Sequence, residues 1–206
     1  MAAPSSSPPQ GRVSGDLDRF LHGGGETTLD ALIELFGPKG FALLFLFLLG
    51  VPALPLPTGG ATHVFEIIAV LLALQLIAGR DEIWLPRRWR SLNLAGPGRQ
   101  RFLRGLMRFI RFFERMSHPR LRFLFGHRLS NAVFGLLVIG GSVAAFVAPP
   151  FTGLDTLPAL GVVLVSLGVL LEDVLVVAGG IVVGAAGVVL EIVLGTAAVH
   201  GISSLF

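Results

Sequence analysis

The sequence contains no cysteine, which excludes disulfides and thiolate chemistry and leaves the redox compartment open. Charge is scarce as well. Only 14% of the 206 residues are Asp, Glu, Lys or Arg, against about a quarter in an ordinary soluble domain. Lysine occurs once, beside fifteen arginines. Enzyme signatures are missing. There is no HExxH, no phosphate-binding loop and no GxSxG nucleophile elbow. The glycines at 23–25 and Gly96-Pro97-Gly98 read as linkers. No catalytic residue, metal ligand set or cofactor is expected.

Apolar residues fill the space that charge leaves: 53% of the chain is hydrophobic, with mean hydropathy +0.79. The runs Phe41–Leu54, Val64–Ala78, Ala132–Ala148, Leu157–Leu171 and Val174–Val199 do not alternate as half-buried strands would. All five read as membrane-embedded helix. The first is fourteen residues long, short of the ~20 that a span needs. Its partner follows Pro52, Pro55 and Pro57, so the two form a hairpin that either crosses a thinned bilayer or re-enters.

Charge is distributed very unevenly. Residues 80–128 hold thirteen of the sixteen basic residues and three acidic ones, a net +10; the rest holds three basic and ten acidic, a net −7. A basic loop between apolar runs is cytoplasmic by the positive-inside rule. Nucleic acid is rejected as the counter-charge, because the arginines interleave with Phe, Leu and Ile beside membrane segments. Anionic lipid headgroups fit better. Arg101, Arg104, Arg108, Arg111 and Arg115 recur at helical spacing, which predicts an amphipathic interfacial helix with arginines at the phosphates and its apolar face among acyl chains.

The expected fold is all-α and integral to the membrane. Four to five membrane helices form two repeated, Pro-broken hairpins linked by the basic interfacial helix. Residues 1–26 read as a disordered cytoplasmic tail, followed by a short amphipathic surface helix at 27–36. The membrane domain spans 27–205, with a first hairpin at 37–80, the linker at 81–128, and a second hairpin plus last helix at 130–201. The repeat rests on Pro55-Leu56-Pro57-Thr58-Gly59 and Pro149-Pro150-Phe151-Thr152-Gly153, both Pro-x-x-Thr-Gly between apolar runs. Paired broken segments point to a transporter-type binding site. Plain surface turns explain the same residues.

Polar residues inside membrane segments are costly, so each is a candidate. Thr58, His63, Glu66, Gln75, Thr152 and Glu191 form the expected polar membrane site. Glu191 shares a face with Gly180, Gly184, Gly187 and Gly195. It is either a proton carrier or a packing residue. His63 and Glu66 are spaced to pair. Gln75 is placed to bond between helices. Asp155 and Asp173 read as boundary markers, and Trp84 and Trp89 as interfacial anchors.

Several short pieces recur in a fixed order: Gly37-Pro38-Lys39-Gly40-Phe41, Pro55-Leu56-Pro57-Thr58-Gly59, Ala73-Leu74-Gln75, Gly79-Arg80, Trp84-Leu85-Pro86, Pro119-Arg120-Leu121, Leu157-Pro158-Ala159 and Leu171-Glu172-Asp173. Through these the chain, from about Thr27 to Leu205, resembles the bacterial ExoD exopolysaccharide-synthesis proteins. The resemblance implies a bacterial inner-membrane protein linked to making or exporting exopolysaccharide. Two functions stay open. One is a transporter of an anionic lipid or lipid-linked carrier. The other is a non-transporting scaffold whose arginine helix binds lipid or polysaccharide-synthesis proteins. A homo-oligomer suits the glycine-rich helices.

Overall fold

The computed structural model describes residues 12–22, 28–54, 62–80, 83–90, 97–118, 127–148 and 152–203. Their order is α1 (Val13–His22), α2 (Leu29–Phe36), a 3-10 turn (Gly37–Lys39), α3 (Gly40–Gly50), α4 (His63–Ile77), α5 (Arg87–Arg90), α6 (Pro97–Met116), α7 (Arg128–Val147), α8 (Thr156–Leu171) and α9 (Val174–Ser203). Among the described residues the fold is all-helical.

The centre is α3. Residues Phe41 to Leu46 are buried without a break, so this helix has no lipid- or water-facing side over most of its length. It packs on α8 and α4, and α4 packs on α7, which packs back on α8. These four helices close a ring. α9 lies along α8, where glycines let the backbones approach. A Cβ at Gly180 would sit 2.6 Å from the Val165 amide nitrogen, so a larger residue there separates the helices.

The ends of the ring meet in two matching contacts. Lys39 Nζ, at the start of α3, donates to the Leu170 carbonyl at 3.2 Å and lies 2.9 Å from Glu172. Arg128, at the start of α7, places its guanidinium over Gly79, the residue that ends α4 with φ +73°. In each case a cation sits at the carbonyl end of a return helix, where the helix dipole favours it. α8 closes in the same way as α4, with Glu172 at φ 57°. Lys39, Arg128, Gly79 and Glu172 therefore gather at one end of the bundle, the basic end. His63, Phe146 and Asp155 lie at the other.

Two helices, Arg128–Val147 and Val174–Ala197, are long and apolar enough to cross a membrane; α3, α4 and α8 are shorter apolar helices. Of the four to five membrane helices expected, two among the described residues reach full length. The run Phe41–Leu54 shortens because its helix stops at Gly50, ahead of Pro52. At 11, 15 and 16 residues, the three shorter helices measure about 17 to 24 Å.

The N-terminal tail differs from its expectation. Residues 1–11 and 23–27 lie outside the described residues, but 13–22 is helix. Val13, Leu17 and Phe20 make one face that packs on the core, and Leu17 is fully buried. α2 is also less superficial than expected, since Leu32 and Phe36 are buried.

The arginine helix forms, yet it is not the free interfacial helix that its sequence suggests. The apolar residues Leu103, Leu106, Met107 and Ile110 of α6 are buried within the protein, and α1 packs against the same helix. Nor does α6 lie flat across one end of the bundle. Phe102 meets Phe47 with ring centroids 6.2 Å apart and touches Gly50, the far end of α3. After the helix, Ser117 Oγ and the His118 amide each donate to Asp173 Oδ2 at 3.0 Å, near the basic end. The arginine stripe therefore runs along the flank of the bundle.

Candidate functional site

Two polar features stand out against the apolar ring. The first is at the His63 end. Glu66, in the first turn of α4, is 0% exposed. His63 Nδ1 lies 2.8 Å from Glu66 Oε2, and the His63 ring rests on Phe146 of α7 with centroids 4.8 Å apart. Glu66 Oε1 has no hydrogen-bond partner among the described residues. One turn inward from the His63–Phe146 contact, α7 presents Ser142, also fully buried and with an orphan hydroxyl.

Asp155, just before α8, is within electrostatic reach of both Glu66 and Glu191. Glu191 lies one turn beyond Gly187, which packs on Leu157 and Pro158. Its face thus points at the start of α8, and its Oε1 is buried without a partner. Three carboxylates and one imidazole therefore share one end of an apolar bundle. Their spacing does not suit a metal: among the described residues no three His, Asp or Glu side chains converge on an ion position.

The other expected polar residues do not join them. Gln75 is at the opposite end of α4. It donates from Nε2 to the Trp84 carbonyl at 3.2 Å and accepts from the Trp84 amide at 2.9 Å. It therefore pins the segment that follows its own helix instead of bridging helices. Thr152 is exposed, and its hydroxyl accepts from the Leu154 amide at 3.3 Å, a local turn. Thr58 and the first Pro-x-x-Thr-Gly segment lie outside the described residues.

The second feature is the arginine flank. Arg101, Arg104, Arg108, Arg111 and Arg115 are all on the exposed side of α6. Between α6 and α1 runs an open groove of about 250 Å³ lined by Asp18, His22, Arg104, Met107, Arg108 and Arg111. Asp18 lies 3.5 Å from Arg111 and also 3.5 Å from His22. Glu114 holds α1 by accepting from both the amide and the hydroxyl of Ser14.

Two residues escaped the functional reading. Asp173 is buried and accepts from the Leu175 amide at 2.9 Å, so it caps α9 while tethering the residues after α6. Asp155 is no mere boundary marker, because it lies within electrostatic reach of both the buried Glu66 and the half-buried Glu191. The capping role was legible in principle, since an acidic residue before an apolar run is an N-cap signal.

Comparison with known proteins follows this geometry. The family model described as "Exopolysaccharide synthesis, ExoD" matches residues 13–193. Protein ExoD of Rhizobium meliloti is 32% identical over 187 residues, covering 89% of this chain and 78% of that protein. An uncharacterized protein of Synechocystis sp. is 29% identical over 153 residues, covering 74% of this chain and 71% of its own. No solved structure matches.

Proposed function

The chain belongs to the ExoD exopolysaccharide-synthesis family, and from that premise we propose that it is a multi-pass protein of the bacterial inner membrane that moves an anionic lipid or lipid-linked carrier during exopolysaccharide synthesis or export. It performs no bond-making step of its own. Embedding is supported by apolar faces that the protein leaves uncovered: Val64, Ile67, Leu71 and Leu74 on α4, Leu136 and Val143 on α7, and Val182, Val189 and Val193 on α9. Water would penalise such faces by about 25 cal/mol per Å²; acyl chains would not. The basic end, with Lys39, Arg80 and Arg128, is the cytoplasmic end in this reading.

The observation that carries the transport reading is the course of the arginine stripe. Its helix turns its apolar face to the protein itself, so the arginine side faces outward, where Arg101, Arg108 and Arg115 can meet an external anion. Because α6 runs from the Asp173 end to the Gly50 end of α3, the stripe gives a phosphate headgroup a polar track along an apolar body. Charge-assisted contacts from arginine to phosphate suit that task. The matching Lys39 and Arg128 contacts support a duplicated hairpin, with α3–α4 answering α7–α8. The test is polysaccharide output after Arg104→Gln, Arg108→Gln and Arg111→Gln together, at equal membrane level. Transport requires output to collapse; wild-type output rejects the flank as the path.

A scaffold reading shares this surface, with the arginines docking lipid or a polysaccharide-synthesis protein; it is favoured by the exposed groove between α1 and α6. The two readings part at Glu66. A scaffold has no use for a buried, half-partnered carboxylate, whereas a carrier that cycles between states does.

A further inference from the structure

We propose that Glu66 is a proton-carrying site loaded through His63, and that the ion exchanged by this protein is a proton taken up at the His63 end. The inference rests on the transport reading above and names its coupling ion. Four observations carry it. Glu66 is completely buried, yet one of its oxygens has no partner among the described residues. Its other oxygen meets a single group, His63 Nδ1, at 2.8 Å. His63 is itself partly exposed while its Nδ1 meets the buried carboxylate. Among the described residues the surroundings supply no fixed cation. α3 has no ionisable residue between Gly40 and Gly50, α7 offers Phe146 and Ser142, and the charged group that reaches Glu66 from α8 is Asp155, of like sign. Glu191, on α9, also faces Asp155 at this end.

A carboxylate in that setting is electrically balanced either by the His63 imidazolium or by its own proton. The transfer is simple. A proton from water binds His63 Nε2, the Nδ1 proton passes to Glu66 Oε2, and the imidazole is left neutral in the other tautomer. The hydronium ion that delivers the proton leaves as water, so one O–H bond breaks and one forms, one N–H bond breaks and one forms, and no electrons are exchanged. Uptake cancels the Glu66 charge buried between α4 and α7, which changes the cost of rearranging the ring. Asp155, of like sign to the Glu66 carboxylate, favours a proton on Glu66.

The test uses the full chain in membranes and the hydrophobic carbodiimide dicyclohexylcarbodiimide, which adds to protonated carboxyls in apolar surroundings, with the modified residue located by peptide mass spectrometry. Labelling at Glu66 is expected to fall as the pH is raised, because only the protonated carboxyl reacts. It is absent in Glu66→Gln, persists in Glu191→Gln, and is unaffected by sodium chloride at fixed pH. Three results overturn the proposal: no labelling of Glu66 at any pH, labelling that ignores pH, or protection by sodium, which would make the site a sodium seat. Labelling is independent of polysaccharide output. If Glu66 labels as expected while Glu66→Gln supports normal output, the proton site stands and the transport reading falls.

Discussion

Asp173 and Glu66 are both buried carboxylates, and their environments assign them opposite roles. Asp173 is fully used: it caps α9 through the Leu175 amide and receives Ser117 and His118. Asp173→Ala removes the cap and leaves those donors unmet, at a cost of about 2 kcal/mol. The check is thermal unfolding in detergent, with Asp173→Asn expected to recover part of the loss. Glu66 is under-used, with an orphan oxygen in an apolar ring. Replacing a buried ionic group by an apolar one of similar size is often neutral or stabilising, by about 1 to 4 kcal/mol. Glu66→Met is therefore expected to unfold no earlier than wild type while losing polysaccharide output. A large loss of stability instead would make Glu66 a structural residue.

At the scale of elements, two contacts hold the frame. α8 and α9 meet through glycines, so Gly180→Leu forces a side chain into the Val165 backbone. Overpacking of this kind costs about 1 to 3 kcal/mol, and the protein should lose accumulation in the membrane without any change to the polar residues. α1 is held to α6 by Leu17 and by the Ser14–Glu114 bonds. Leu17→Ala should cost about 2 to 5 kcal/mol in a well-packed site, measurable as earlier proteolysis within residues 13–22. The helices with strong patterns were legible in the sequence: α6 from its 3–4 arginine spacing, α7, α8 and α9 from uninterrupted apolar runs. α1 was not, because its apolar residues are few and their partner lies about ninety positions away along the chain. The same limit hid the course of α6. Periodicity shows that a face is apolar but not whether lipid or protein covers it. At the site, the His63–Glu66 pair followed from spacing, while Gln75 was misplaced because its partner is the backbone of Trp84, which no pattern marks.

The whole molecule reads as an apolar ring whose outer faces suit acyl chains, with a cationic flank and a carboxylate-bearing end. The absence of native cysteine makes this arrangement accessible, since single introduced cysteines report without background. Cysteines at Val182 or Val193 should resist a water-soluble maleimide in intact membranes, and one at Arg108 should react. Transport then requires the buried end to matter as much as the flank. The decisive measurement is exopolysaccharide output from wild type and Glu66→Gln, expressed at equal membrane levels in a host lacking its own copy. Gln keeps the shape of Glu66 and its bond to His63 but cannot carry a proton, so the account predicts that output is lost although the protein remains in the membrane. Normal output from Glu66→Gln would contradict it and leave the arginine flank as the surface of a scaffold.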